Sequence, residues 1–461
     1  MIKQISRILL AGTSSGCGKT TVTCALLQAL VNRKLNVGAF KCGPDYIDPM
    51  FHSRIIGAKS GNLDLFFFGE NTLCYLLQKN AAECDVAMIE GVMGYYDGLS
   101  LTTARSSTYE VAKATDSPVI LVVNAKGASL SVLATIQGFL SFYPENNICG
   151  VILNQCSSMT YAALSRVIRE RFAGAVQPMG YLPKLDACTL ESRHLGLVTA
   201  AEVSDLKEKM QMLAEQAEKT LDVDGILRMA EQTAPLSCNP LAVKRFADSI
   251  RIAVARDNAF CFRYEDSLEL LREMGAELVE FSPLSDSGLP GDIHGLYLGG
   301  GYPELYAKEL SANETMRQSI YAALSAGLPC IAECGGFMYL TQAIADCPMV
   351  AFLQGVCHDT GKLTRFGYVE LTAKQNNLLC SAGDSIRGHE FHHWDCTCPG
   401  TDFTSVKPSG KSWDCCVANE VLYAGYPHFH FYANPKFGEN FYEACLKEKY
   451  RHDRKYQTYG H

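Results

Sequence analysis

The sequence predicts an α/β protein of two domains, the first a phosphate-loop domain built on a parallel sheet. Three observations predict it. A strand, Arg7–Ala11, runs into Gly12-Thr13-Ser14-Ser15-Gly16-Cys17-Gly18-Lys19-Thr20-Thr21, and a helical pattern over Val22–Asn32 follows. Strand-length apolar runs alternate with helical patterns in both halves of the chain. At 461 residues the chain exceeds what one hydrophobic core organises, and Thr233–Pro240 separates two α/β series.

In the first series, placed at residues 1–235, strands recur at Val37–Lys41, Val86–Glu90, Val119–Asn124 and Gly150–Asn154, and a helix-rich tail covers Ala200–Gln232. Such uninterrupted apolar runs are the pattern of parallel strands covered on both faces. The second series, at residues 245–461, has strands at Ile250–Ala255, Glu277–Phe281, Gly295–Leu298 and Cys330–Ala332, with later β-like stretches at Gly367–Leu371 and Gly425–Tyr432. A net charge of −8 argues against a nucleic-acid backbone as the main partner. No apolar stretch reaches the roughly 20 residues of a membrane span. Twenty cysteines scattered through apolar runs, with no paired CxxC motifs, predict reduced thiols in a cytoplasm and no structural metal. Met1–Arg7 leads directly into a strand, so no signal peptide is expected.

The glycine-rich stretch departs from the strict phosphate-loop pattern by one residue, since Thr13 stands at the first glycine position. The physics survives the departure. Gly16 and Gly18 let backbone N–H groups converge on phosphate oxygens, with Ser15, Cys17 and Thr21 in the same turn. Lys19 supplies an ammonium for the β and γ charges, and Thr20 a hydroxyl for Mg²⁺. Asp45 and Asp48 lie beyond the strand ending at Lys41, where open α/β sheets bind ligands. Glu90 closes another strand as a natural Mg²⁺ ligand, and Asp97 sits in the Gly91–Gly98 loop after it. For Asp48 and Asp97 the weaker alternative is a capping or turn residue. Asn154 either reads the base of a nucleotide or caps a helix.

The second half holds a thiol at a strand–turn–helix, Ile331-Ala332-Glu333-Cys334-Gly335-Gly336-Phe337. That is the shape of a nucleophile elbow with Cys in place of Ser, and the helix N-terminus is expected to favour the thiolate. Gly299-Gly300-Gly301 after a strand, together with Gly335, offers backbone N–H groups to an oxyanion. A base for the thiol comes from Gly388–His393 or from His428 and His430, which share one face of an extended segment. Acyl transfer through a thioester follows, most simply with glutamine giving ammonia.

Taken together, these segments resemble the cobyrinate a,c-diamide synthase family, glutamine-dependent amidotransferases of corrin-ring biosynthesis. The specific stretches are Gly43-Pro44-Asp45-Tyr46-Ile47-Asp48-Pro49-Met50-Phe51-His52, Arg193-His194-Leu195-Gly196-Leu197 and Glu333-Cys334-Gly335-Gly336. The resemblance implies a dethiobiotin-synthetase-like ATPase domain followed by a class I glutamine amidotransferase domain. It implies Cys334 as nucleophile and His428 as the residue that raises its nucleophilicity. It also implies ATP and Mg²⁺ at the Gly12–Thr21 loop with Thr20, Asp45 and Glu90, and contact of Tyr46 and Ile47 with a tetrapyrrole. Asp48 and Asp97 join the activation site. Its substrates would be cobyrinic acid and L-glutamine, and it admits a homodimer with sites closely apposed or joined by an ammonia passage. The acidic residue usual two places after the histidine is replaced by His430. Rival acceptors are nickel sirohydrochlorin, hydrogenobyrinic acid and the later corrin carboxylates. A partitioning-type regulatory ATPase with an inert second domain would want a lysine early in the loop, where the chain has Thr13-Ser14-Ser15.

Overall fold

Strand Arg7–Gly12 lies at the centre of a seven-stranded parallel sheet in a computed structural model that describes residues 2–188 and 200–459. Across the sheet the order is Lys59–Leu63, Val37–Cys42, Val86–Glu90, Arg7–Gly12, Val119–Asn124, Ile148–Asn154 and Gln177–Leu182. The four strands expected from the sequence are its interior neighbours, and the two unexpected strands are its edges. One layer of core packs Ile8, Leu10 and Ile152 against Val22, Leu26 and Leu30 of helix Lys19–Asn32, with Met210, Leu213 and Ala217 of helix Ala200–Thr220. The helical tail is two helices, Ala200–Thr220 and Val223–Glu231. The Arg193–Leu197 motif lies outside the described residues.

The two compact units are Met1–Leu241 and Ala242–His461. The stretch expected to be a free linker is instead pinned to the first unit. Leu236–Ser237 pairs antiparallel with Ile2–Lys3. The fully buried Arg7 guanidinium donates to the carbonyls of Ile5, Ala234, Thr115 and Asp116, which satisfies a charge that burial would otherwise penalise.

The second unit holds a six-stranded sheet in the order Ala276–Phe281, Ile250–Ala255, Gly295–Leu298, Cys330–Glu333, Leu422–Gly425 and Val417–Ala418, parallel except at the last pair. An antiparallel sheet orders Ser412–Cys415, Phe403–Val406, Arg365–Ala373, Ser385–His392 and His428–Phe429. The stretch Gly425–Tyr432 is therefore not one strand. Gly425 ends a strand of one sheet and His428–Phe429 forms a strand of the other, with the break at Tyr426-Pro427, where proline removes a backbone donor, and Phe431–Ala433 is a short helical turn. Among the described residues all twenty cysteines are free, and no helix is long and apolar enough to cross a membrane.

Candidate functional site

In the first unit the loop after Arg7–Gly12 exposes Ser14, Ser15 and Gly16 at its crest and turns Cys17 inward. Gly18 has φ of 96°, and a Cβ there would lie 1.8 Å from the Asn154 amide nitrogen. Only glycine fits. The Asn154 amide donates to the Cys17 carbonyl at 2.9 Å, so this side chain braces the loop from below; it caps no helix. Lys19 and Thr20 open the helix, with Thr21 partly exposed beside them. Burial pulls the Lys19 ammonium below its ordinary value, and it donates to the Met93 carbonyl at 2.7 Å.

Beside the loop, carboxylates crowd one buried ammonium. Thr20 Oγ1 donates to Glu90 Oε1 at 2.7 Å, and Lys41 Nζ reaches the same oxygen at 2.9 Å and Asp48 Oδ2 at 2.5 Å. His52 Nε2 lies 3.4 Å from Glu90 Oε2. Burial alone would raise the Glu90 carboxyl, but Lys41 and then His52 outweigh it and hold it well below the usual range. Burial would likewise lower Lys41, and Glu90, Asp48 and Asp45 hold it above its ordinary value instead. Asp45 goes the other way, pushed up to about 7 by burial and then by Asp48. Its Oδ1 accepts the N–H of Ile47 at 2.8 Å, which starts the short helix Ile47–Phe51 after the buried Tyr46.

Asp97 Oδ2 accepts the Gly94 N–H at 2.7 Å and shapes the turn. With Thr13, Tyr96 and Phe139 it also lines a cavity of about 460 Å³. Among the described residues no three His, Cys, Asp or Glu side chains form a metal cage. That donor set suits Mg²⁺, which takes one or two carboxylates and completes its shell with phosphate and water. Lys41 and His52 are functional candidates that the sequence reading quoted without a role.

In the second unit Cys334 has φ 48° and ψ −102° between strand Cys330–Glu333 and helix Gly335–Leu340. Its N–H donates to the Gly425 carbonyl at 2.7 Å, and its own carbonyl accepts from Met338. This positive-φ residue at a strand–helix junction is the expected elbow. Burial works against the thiolate expected from the helix N-terminus. Burial pushes the Cys334 thiol well up, Glu304 adds to this, and the Gly335 N–H pulls back less. The six-residue helix brings too little dipole to offset the burial of a residue that is only 6% exposed.

Gly300 explains how the thiol meets its base. A Cβ on Gly300 would lie 2.4 Å from His428 Cε1, 3.1 Å from Nε2 and 3.4 Å from Cys334 Cβ. The imidazole edge and the elbow therefore converge on one bare backbone. A Cβ on Gly335 would lie 3.0 Å from the Gly301 nitrogen, so these two backbones meet near the elbow. The donor expected at Gly300 is not free, because its N–H bonds the Phe262 carbonyl at 3.0 Å across a bridge between the two residues. His430 is elsewhere. Its Nδ1 accepts from Tyr432 N–H at 3.2 Å, its Nε2 lies 4.0 Å from Asp266, and its ring packs on Tyr264. His389 pairs in register with His428, with ring centroids 6.4 Å apart; burial and then His428 push it down to about 3, so it stays neutral.

Residues 8–198 match the CobQ/CobB/MinD/ParA nucleotide binding domain, and residues 251–436 match the CobB/CobQ-like glutamine amidotransferase domain. The cobyrinate a,c-diamide synthase of Listeria innocua is 41% identical over 443 residues, covering 94% of this chain and 97% of that protein. The chain belongs to the cobyrinate a,c-diamide synthase family. The Clostridium acetobutylicum synthase is also 41% identical, over 93% of this chain and 98% of its own. That of Priestia megaterium is 37% identical over 457 residues. Membership makes the chain an amidoligase that carries a glutamine amidotransferase domain.

Proposed function

We propose that this chain converts the a and c carboxylates of cobyrinic acid to amides, using ATP and ammonia released from glutamine. The observation that carries the reading is the convergence of His428 and Cys334 on Gly300, in a chain whose relatives bear that name over nearly their whole length. Cys334 Sγ attacks the glutamine amide carbon, and His428 takes the thiol proton as the S–C bond forms. The N–H groups of Gly301 and Gly335 hold the oxyanion, while that of Gly300 stays with the Phe262 carbonyl. His428 returns the proton to the leaving nitrogen, the C–N bond breaks, and water later frees glutamate and the thiol.

In the first unit the Gly12–Thr21 loop holds ATP, and Lys19 leaves its Met93 carbonyl to meet the phosphates. Transfer of the γ-phosphoryl group to a substrate carboxylate gives an acyl phosphate, which ammonia attacks with loss of phosphate. Thr20 and Glu90, with Asp45, would hold Mg²⁺, which supplies neutralising charge at phosphate oxygens. Tyr46, Ile47, Asp48 and Asp97 border the acceptor, with Asp48 holding Lys41 in place and Asn154 bracing the loop. Cys334→Ala tests the scheme. It should lose glutamine-driven amidation and keep amidation driven by ammonium salt, with products identified by mass from cobyrinic acid, hydrogenobyrinic acid and nickel sirohydrochlorin. Normal glutamine hydrolysis by this variant would remove Cys334 from the reaction, and preference for another tetrapyrrole would replace the acceptor.

A further inference from the structure

We infer that Glu333 is the positioning carboxylate of the glutamine-hydrolysing site, holding His428 from the side opposite Cys334. The inference rests on the reading that Cys334 is the nucleophile and His428 its base.

Glu333 is completely buried, and a carboxylate in packed surroundings is costly unless it is paired. Among the described residues no Lys or Arg forms an ion pair with it. Its partners are Tyr297 Oη, donating to Oε2 at 3.1 Å, Phe429 N–H, donating to Oε1 at 3.4 Å, and His428 Nδ1, 3.5 Å from Oε2. Burial and then Glu333 hold the Tyr297 phenol far above its ordinary value, so it remains a donor to the carboxylate.

The topology supplies Tyr297 from one neighbouring strand, and His428 and Phe429 from the segment that follows the other neighbour. Glu333 ends its strand in register with Gly425, three residues before His428, while Tyr297 comes from the strand on the other side. The next residue after Glu333 is the elbow cysteine. One strand end thus delivers nucleophile and carboxylate in consecutive positions, with the imidazole 3.5 Å from the carboxylate and beside Gly300, next to the nucleophile. Gly300 lies along the Cε1–Nε2 edge beside Cys334 Cβ, and Glu333 lies at Nδ1. The position two residues after His428 is taken by His430, which is occupied with Asp266 and Tyr432. The carboxylate that this position would have supplied comes instead from the strand before the nucleophile.

The chemistry is that of an oriented base. A carboxylate at Nδ1 keeps that nitrogen protonated and leaves the Nε2 lone pair for the thiol proton. As the proton moves from Sγ to Nε2 the ring becomes cationic, and Glu333 stabilises that charge without taking the proton. The proton then leaves on ammonia.

Glu333→Gln tests this, because it removes the charge and keeps an acceptor for Phe429 N–H. The glutamine-dependent kcat should fall by about 100-fold or more while the KM for glutamine stays within about threefold. Ammonium-driven amidation should continue, and Glu333→Asp should recover part of the loss. A kcat within about threefold of the parent overturns the inference, as does a loss shared equally by the ammonium-driven reaction. Nitrogen NMR of the unaltered protein gives a second test that needs no variant to fold. With His428 assigned, Nδ1 should carry the proton in the resting enzyme, and a proton on Nε2 overturns the inference. If Cys334→Ala still hydrolyses glutamine, the underlying reading fails; if Cys334→Ala is dead and Glu333→Gln is active, only the role of Glu333 fails.

Discussion

Replacing Lys41 with Met should destabilise the first unit by an amount that depends steeply on pH. Lys41 Nζ lies 2.9 Å from Glu90 and 2.5 Å from Asp48, and the Glu90 side chain is 1% exposed. At an effective dielectric of about 20 each contact is worth about 6 kcal/mol of gross attraction, much of it offset by desolvation. Without the ammonium, Glu90 has two choices: stay charged and buried, or take a proton. The second sets a ceiling. Protonating a carboxyl whose ordinary value is about 4.3 costs about 1.4 kcal/mol per pH unit above it, hence about 5 kcal/mol at pH 8 and about 1.6 at pH 5.5. The sign follows from the parent protein, where Glu90 is held below its usual range and stays ionised across this window. The unfolded chain also ionises it there, so the deficit belongs to the variant and grows as pH rises. His52, 3.4 Å from Glu90, acts in the same direction when protonated. The assay is urea unfolding followed by circular dichroism at both pH values. Both tryptophans, Trp394 and Trp413, lie in the second unit, so their fluorescence serves as an internal control and should shift little. A deficit below about 1 kcal/mol at pH 8, or one equal at the two pH values, would show that Lys41 is not the counter-charge of this cluster.

Three further outcomes follow from the same geometry. Asp45→Asn should stabilise the first unit above pH 7 and have little effect near pH 4. The parent carboxyl, raised to about 7, keeps a proton that the unfolded chain has already released, so parent stability falls across that window by about 2–4 kcal/mol after allowing for its partial exposure; melting at pH 4.5 and pH 8 reads the difference. Gly300→Ala drives a methyl group into the His428 ring and should lower glutamine hydrolysis by about 100-fold, since a displacement near 1 Å costs that much; ammonium-driven synthesis measured in parallel should persist. Gly18→Ala sets a side chain at φ 96° against the Asn154 amide and should weaken nucleotide binding by tenfold or more in calorimetry, with the circular dichroism spectrum retained.

What the sequence made legible was local chemistry and buried strands. The interior strands of the first sheet are apolar on both faces and read as such. Lys59-Ser60-Gly61-Asn62-Leu63 and Gln177-Pro178-Met179-Gly180-Tyr181-Leu182 did not, because they are the sheet's edges, where polar residues and proline are tolerated. Cys334 and the Gly12–Thr21 loop announced themselves because strand, turn and helix lie next to each other in the chain. Lys41, His52 and Glu333 stood in or beside quoted motifs but carried no role, since Glu90, for the first two, and His428, for the third, lie 38 to 95 residues away and meet them only through the fold. The residues alone left His428 and His430 open for the same reason: alternation puts both on one face only if the strand continues, and it ends at Phe429.

The thiol carries the last consequence of this geometry. A cysteine poised as a thiolate would react with any electrophile that reached it, whereas burial and Glu304 keep Cys334 protonated in the resting protein. On the proposed reading its ionisation is tied to proton transfer to His428, which lies with Cys334 beside Gly300 and has Glu333 3.5 Å from its Nδ1. Glu304, itself pushed up to about 7 by burial, adds negative charge near the sulfur only once it ionises, which opposes early loss of the thiol proton. The strained elbow backbone is retained because its N–H and C=O are both satisfied, by Gly425 and Met338. The proposed mechanism therefore draws reactivity from His428 and Glu333 once an amide is present to accept the sulfur, and asks little of the six-residue helix at the elbow.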